Sequence, residues 1–499
     1  MGLVAAATQK NDKHSIERFY TDEIVIGLCG PVGVNLPEVA KKLKETLASY
    51  SYDATSLKMS EIIEEVHGKV EAPHLERKQR LIAAGNELRQ TTGRGSFLAE
   101  KAIEKIFINR NHQFPDGNFA SRRYCFIIDS IKNLAEAKKF REVYGSSFYL
   151  VGVFSSRDRK KTNLTHGNPA LEAEALQIIE NDYNQKGSFG QQVGKVFQTA
   201  DYFFRLEGDN QVDDKVQRLI KLILGAEIIT PSSAETAMFT AASAARNSAC
   251  LSRQVGAAIA RKDGEVISTG WNDVPQFGGG TYKFGPQDRR CFNDGQFCRN
   301  DQEKSSIVEG IVADLVSSGV VEEKKRDQAH KALSASRVSD LIEFSRAVHA
   351  EMLAILNAAK LGAGELKDAV LYCTTYPCHS CARHIVASGI SEVYFIEPYA
   401  KSKAVALHSD AITEEENVTG KLKILAYEGV APARYLDFFS IKNDRKIEGK
   451  YVPKPKNELR PQVDKMFEAV HFLEAVVADG VLDKGGDGDG DGEGSVKAA

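Results

Sequence analysis

Two short segments constrain this chain more than any other: Val348-His349-Ala350-Glu351 and, a little downstream, Tyr376-Pro377-Cys378-His379-Ser380-Cys381. They read H-x-E followed by P-C-x-x-C. Residues two apart do not share a face of a regular helix, so His349 and Glu351 converge only at a helix's first turn. Ala350 to Lys360 (AEMLAILNAAK) is built almost wholly of good helix formers. Pro377 marks a second helix start, where Cys378 and Cys381, three apart, present both sulfurs on one face and the helix dipole favours thiolate. The apolar run Ala369 to Cys373 between them is strand-like. The pattern predicts helix, strand, helix, with the reactive side chains at the two helix starts.

Imidazole and thiolate are the ligands that tetrahedral zinc prefers, and a catalytic site takes three from protein and leaves the fourth to water. His349, Cys378 and Cys381 make that set. Zinc brings the pKa of water from about 15.7 towards roughly 7. In zinc deaminases the activated water attacks C4 of cytosine or C6 of adenine, and a glutamate that does not touch the metal carries the protons. Glu351 fits that shuttle. A lone C-x-x-C also reads as a redox pair or half of a structural zinc site, but the chain has no second C-x-x-C to complete a four-cysteine set.

At 499 residues, 42% hydrophobic and 27% charged, the chain is long enough for two or three domains of ordinary globular composition. Its net charge of -3 and pI near 6.5 give no general pull towards polyanions, against non-specific nucleic-acid binding. Eight cysteines, with Cys125 and Cys373 in strand-like runs, point to reduced thiols and a cytoplasmic home. Leu3 to Ala7 is too short for a signal-peptide core, Ala6 stands where myristoylation wants Ser or Thr, and no run reaches the roughly 18 apolar residues of a membrane span. No membrane association is expected.

Residues 1–20 read as a flexible N-terminus, and 21–228 as an α/β domain with a parallel sheet. Glu23 to Cys29 is an apolar strand running into Gly30-Pro31-Val32-Gly33-Val34-Asn35 and then a helix, Leu36 to Tyr50. Strand, glycine turn and helix form an anion-holding loop, with Gly30 and Gly33 as candidate nucleotide contacts. The loop departs from G-x-x-x-x-G-K-[ST], because Asn35, Leu36 and Pro37 stand where Gly, Lys and Ser or Thr belong. Without the lysine and the hydroxyl, phosphoryl transfer is not expected. Tyr124 to Asp129 and Phe148 to Phe154 are further buried strands. Asp129 reads as a magnesium carboxylate or as a loop residue capping the next helix, and the cluster Arg157, Arg159, Lys160, Lys161 as a phosphate or RNA contact or a solvated loop. The segments IGLCGPVG, FIIDSIKNLAEAKKFREVYGSSFYLVGVF and FGQQVGKVFQTADYFF resemble P-loop nucleoside and nucleotide kinases. That resemblance implies a degenerate kinase-like domain that binds a nucleotide regulator, docks a partner or builds an oligomer.

Ile228 to Ser233 carries a proline and two serines, which puts a boundary near 225–232. In the second domain, 232–475, Ala234 to Ala249 is helical. Val255 to Ala260 and Glu265 to Gly270 form a hairpin about Lys262-Asp263-Gly264. AARNSACLSRQVGAAIA, DGEVISTGWNDVP, HAEMLAILNAA and YPCHSCARHIVASGISEVYFIEPY resemble the deoxycytidylate deaminase family over about 232–430, which implies a cytidine-deaminase-like three-layer α/β/α domain. The resemblance makes Asn272 a contact to sugar hydroxyl or base edge, against a turn-forming asparagine. Arg246 and Arg253 are candidate phosphate forks or else surface charge, and the resemblance to the family's arginine-serine turn favours Arg246. Tyr399 either stacks on the pyrimidine or packs beneath the site. Cys291 and Cys298 flank a turn-rich insertion and are unpaired thiols, a transient pair or half of a second metal site. The stretch 301–340 reads as helical, and 480–499, with its GGDGDGDGE run, as a disordered acidic tail.

The expected activity is zinc-dependent deamination of a deoxycytidine nucleotide, dCMP or dCTP. A kinase-like domain fused to such a deaminase resembles bacterial anti-phage deaminases that deplete deoxycytidine nucleotides. By that resemblance the protein is a homo-oligomer that answers to a nucleotide effector or an inhibitory RNA. Two rivals are a deaminase of RNA or single-stranded DNA, which should carry a basic groove with stacking aromatics, and an RNA-binding regulator whose deaminase fold is a sensor.

Overall fold

The computed structural model describes residues 21–114, 121–182, 188–208, 211–399, 401–441, 446–462 and 467–482. The expected flexible N-terminus and the GGDGDGDGE run lie outside the described residues, while 480–482 close the last helix. The chain forms two compact units, 1–230 together with 436–499, and 231–435.

The first unit holds the parallel strands β1 (Ile24–Cys29), β2 (Asp53–Lys58), β3 (Tyr124–Asp129), β4 (Phe148–Phe154) and β5 (Tyr202–Arg205), in the order β5-β4-β1-β3-β2. All six residues of β1 are buried, as expected for a parallel sheet covered on its faces, and β2, at an edge, has four half-buried residues between two exposed ends. The helices that accompany it are α1 (Leu36–Ala48), α2 (Met59–His67), α3 (His74–Thr91), α4 (Phe97–Gln113), α5 (Leu134–Tyr144), α6 (Arg157–Thr165), α7 (Glu172–Asp182), α8 (Val193–Phe197) and α9 (Val212–Leu224). Asn35 caps α1, its Oδ1 accepting from Glu38 N–H at 3.4 Å. Asp129 ends β3 without capping the next helix. Asn133 does that, in a reciprocal box with Glu136. The basic cluster falls on α6, where Lys160 is buried with its ammonium 5.4 Å from the Phe154 ring and Lys161 pairs with Glu172 and Asp158.

One expectation needs correction. Residues from 436 onward do not extend the deaminase-like domain to 475 but return to the first unit. There the helix Phe467–Leu482 packs on α4. Arg110 of α4 is fully buried. Its Nε and Nη2 donate to the two oxygens of Glu474 at 2.8 and 3.0 Å, and its Nη1 donates to Glu23 at 2.7 Å. A fork-to-fork pair of this kind satisfies a buried guanidinium.

The second unit is a six-stranded mixed sheet in the order β10-β11-β9-β8-β6-β7. Its strands are β6 (Gly256–Ala260), β7 (Val266–Trp271), β8 (Val370–Thr375), β9 (Glu392–Glu397), β10 (Ile412–Thr413) and β11 (Leu422–Ala426). The expected hairpin is present as β6 and β7, antiparallel with a shift in register at Ile259/Ala260. Its helices include α10 (Ser233–Ala245), α11 (Arg299–Ser317), α12 (Arg326–Ser334), α13 (Ala350–Ala359) and α14 (His379–Ser388). Register fixes the layers. Ala257 pairs with Gly270 and Gly256 with Trp271, so Gly256 and Gly270 face opposite sides of the sheet. A methyl on Gly256 would strike Ala241 and Ala245 of α10, and one on Gly270 would strike Ala350 and Ala354 of α13. Helices therefore lie on both faces, and α13 and α14 lie side by side, giving the three layers expected.

Removing the Glu474 carboxylate takes two charge-assisted hydrogen bonds from the buried Arg110 guanidinium, which keeps its bond to Glu23, and costs about 1.5–3 kcal/mol. We expect Glu474→Ala to lower the urea midpoint of the first unit by a corresponding amount, read by circular dichroism, whereas substitution of the exposed Glu45 should leave it in place.

Candidate metal centre and its cavity

His349 is the N-cap of α13, with extended backbone (φ -76°, ψ 156°), and Glu351 is its second helical residue. Cys378 is the N-cap of α14 and Cys381 its third residue, whose N–H donates to Cys378 Sγ at 3.4 Å. The first-turn placement expected from the i, i+2 spacing is thus present. His349 Nδ1 lies 3.4 Å from Cys378 Sγ and 3.3 Å from Cys381 Sγ. Tetrahedral zinc with ordinary Zn–S and Zn–N lengths sets nitrogen and sulfur about 3.6 Å apart, so the donors are already at the spacing the ion requires. Among the described residues no other His, Cys, Asp or Glu set converges in this way. Hydrogen bonding from Cys381 first, and then His349, pulls the Cys378 thiol down to about 4, while the Cys378 contact lifts His349 to about 9. Thiolate and proton are held together where a cation belongs, and metal binding displaces that proton. Glu351 is buried, and burial raises its pKa.

The position of His349 is set from β7. The two residues beyond that strand carry the chain to Asp273, whose N–H and carbonyl pair with Val348 at 3.2 and 2.9 Å. Asp273 is in turn immobilised. Its carboxylate accepts from Ala249 N–H (3.1 Å), Val274 N–H (2.8 Å) and Arg290 Nη1 (3.3 Å), and Arg290 is gripped by Asp288.

A cavity of about 270 Å³ opens over this group, its wall including His349, Glu351, Cys378, Asn272, Arg253 and Tyr399. Asn272 also fixes the loop beside it: its Oδ1 accepts from Val255 N–H at 2.7 Å and its Nδ2 donates to Arg253 carbonyl at 2.8 Å. An amide has two donors and two lone pairs, so one of each is left for a ligand. Arg253 Nη1 is 2.8 Å from Glu397, and its guanidinium lies 5.8 Å from the Tyr399 ring. Arg246 does not join them. It is exposed, absent from the cavity wall, and bonded to Gln254 at 3.2 Å, because it lies at the end of α10 before the chain turns into the cavity loop. Cys291 and Cys298 do reach the wall, and none of the eight cysteines is in a disulfide. Two wall residues that sequence reasoning missed, Arg299 and Arg346, come from the polar insertion between β7 and α13, which carries no motif to single them out.

The glycine loop of the first unit is filled from within. Asp182, fully buried, accepts from Val32 N–H at 2.6 Å, and Lys132 Nζ donates to Gly30 carbonyl at 2.7 Å and lies 3.5 Å from Asp182. Gly33 has φ +93°, and its carbonyl accepts from Asn163. An internal carboxylate thus sits where the candidate residues Gly30 and Gly33 suggest an outside anion.

The sequence region of zinc binding in cytidine and deoxycytidylate deaminases matches residues 231–397. The deoxycytidylate deaminase of Enterobacteria phage T4 is 31% identical over 170 residues, 34% of this chain and 80% of the phage protein. That of Saccharomyces cerevisiae is 27% identical over 216 residues, 42% of this chain and 52% of the yeast protein. A crystal structure of dCMP deaminase from the cyanophage S-TIM5 in complex with dCMP and dUMP is 18% identical, with 40% of this chain covering 99% of that one at a TM-score of 0.24. The chain belongs to the cytidine and deoxycytidylate deaminase family. It is a zinc-dependent enzyme of that family, with His349, Cys378 and Cys381 the group positioned for the metal. Among the described residues, no helix is long and apolar enough to cross a membrane.

Because Gly270 touches the first turn of α13, a methyl there pushes the helix, and His349 with it, off the sheet, at about 1–3 kcal/mol. Gly270→Ala should lower both thermal stability and zinc per chain, measured by calorimetry and elemental analysis, whereas Gly310→Ala, on a surface with space around it, should lower neither.

Proposed function

We propose that the chain hydrolyses free deoxycytidine nucleotides, dCMP, dCTP or both, to deoxyuridine nucleotides and ammonia. The observation that carries this reading is one cavity that unites the metal-ligand group, a buried carboxylate two residues from a ligand, and a guanidinium suited to phosphate. The names of the phage T4 and yeast relatives supply the base and sugar.

When bound, zinc supplies the Lewis acidity that brings the pKa of water towards roughly 7. Glu351 takes the proton of the attacking water, delivers it to the ring nitrogen next to C4, and then passes a proton to the departing amine. The C4–oxygen bond forms and the C4–nitrogen bond breaks without any change of oxidation state. Burial favours this role, since it raises the pKa of the Glu351 carboxyl and makes the carboxylate a better proton acceptor. Asn272 offers its remaining N–H and lone pair to the sugar, Tyr399 flanks the pyrimidine, and Arg253 holds the first phosphate.

The same reading extends to the whole chain as depletion of dCTP in anti-phage defence, with the first unit a degenerate P-loop kinase-like domain. In it the protein is a homo-oligomer restrained by a nucleotide effector or an inhibitory RNA. The glycine turn after β1, which lacks the lysine of an active kinase, supports the degenerate kinase-like part of this reading alone.

Incubating purified protein with dCMP, dCTP, the ribonucleotides and single-stranded oligonucleotides, and assaying ammonia, tests the substrate class. Release from the free deoxycytidine nucleotides is expected, and release from oligonucleotides alone overturns the reading. Glu351→Ala should keep zinc while the rate falls about 10²–10⁴-fold, and Cys378→Ala should lose the metal. No ATP-dependent phosphorylation of nucleotides is expected.

A further inference from the structure

We infer that Arg299 and Arg346 form an outer anion subsite of the deaminase cavity that receives the phosphates beyond the first, and so select a deoxynucleoside triphosphate over a monophosphate. The inference rests on the proposed deaminase function and adds to it the residues that set the substrate's phosphate number.

The cavity wall carries three permanent cations, Arg253, Arg299 and Arg346. Its two acidic members do not pair with them; Arg253 and Arg346 are ion-paired instead with Glu397 and Asp294, which are not wall residues, and Arg299 has no carboxylate partner among the described residues. Asp273 is consumed by Arg290 and two backbone N–H groups, and Glu351 lies buried beside His349. Among the described residues each guanidinium is held by a single hydrogen bond through Nη1: Arg253 to Glu397, Arg346 to Asp294 at 3.0 Å, and Arg299 to the neutral amide of Gln302 at 3.4 Å. A guanidinium has five N–H donors, so most of each fork remains open. Two are braced by aromatic rings as well, Arg299 with its guanidinium 4.5 Å from Phe297 and Arg253 beside Tyr399. A guanidinium with open N–H donors is the side chain best suited to phosphate oxygens.

The three do not come from equivalent places. Arg253 lies on the loop that Asn272 ties to the catalytic sheet, next to the residues proposed to hold the sugar, so it is placed for the first phosphate. Arg299 and Arg346 come from the insertion that separates β7 from α13. That insertion is anchored to the sheet through Arg290 and Asp273 and to itself through Arg346 and Asp294. One guanidinium suffices for a monophosphate. A triphosphate brings further oxygens and charge, and the two insertion arginines supply the matching donors.

The test compares zinc-loaded protein with Arg299→Ala, Arg346→Ala, the double variant and the charge-preserving lysine variants, with zinc content checked for each. For each we measure kcat/KM on dCMP and dCTP, and binding of inorganic tripolyphosphate and orthophosphate by calorimetry. The ratio of kcat/KM for dCTP to that for dCMP should fall about tenfold per arginine removed. Tripolyphosphate binding should weaken in step, and lysine should restore only part of either. Equal losses on both nucleotides, an unmoved ratio, or wild-type turnover of dCMP alone would overturn the subsite. If the wild type releases ammonia from neither nucleotide, the deaminase reading fails by itself, and loss of tripolyphosphate binding in the variants still decides whether these arginines form an anion subsite.

Discussion

The metal centre depends on where two helices begin. His349 and Cys378 are both N-caps, and their partners Glu351 and Cys381 lie within the first turn of the same helices. A side chain at such a position points along the helix axis towards whatever lies in front of it, and the dipole there favours anionic groups. Side by side on one face of the sheet, α13 and α14 bring an imidazole, two sulfurs and a carboxylate to one place with short side chains alone. What holds α13 at the right depth is the absence of a side chain on Gly270, which lets the first turn rest on the backbone of β7.

A second tier fixes direction. The ladder between Asp273 and Val348 stops the chain one residue before the ligand, and Asp273 accepts from three donors drawn from different segments. Glu397 does comparable work on the other side, accepting from Arg253 and from Thr375 Oγ1 at 3.2 Å while its carbonyl accepts from Tyr376 N–H. Rigid partners of this kind keep the first set of side chains in working geometry.

Much of this was legible in the residues. The H-x-E spacing demands a helix start, and the ligands sit at one; the Lys262-Asp263-Gly264 turn announces the hairpin; the apolar runs become the buried strands. What failed did so for want of distance information. Resemblance favours Arg246 over Arg253, and only folding shows that of these two it is Arg253 that lies on the cavity wall. Arg299 and Arg346 lie in a polar stretch where nothing periodic separates a wall residue from a solvated one. The return of residues beyond 436 to the first unit was invisible because it is held by Arg110 and Glu474, which lie 364 positions apart. Asn272 fits both readings weighed for it, since half its amide fixes a loop and half is left over.

The carboxylate lodged in the glycine loop has its own consequence. Asp182 belongs to the chain it binds, so it faces the Val32 N–H at an effective concentration of millimolar order or above. A phosphate compound that took its place would have to bind the loop more tightly in proportion, and would leave a fully buried carboxylate beside Lys132. A nucleotide effector that used this loop would first have to part Asp182 from Val32, so occupancy of the loop and release of that carboxylate would be one exchange.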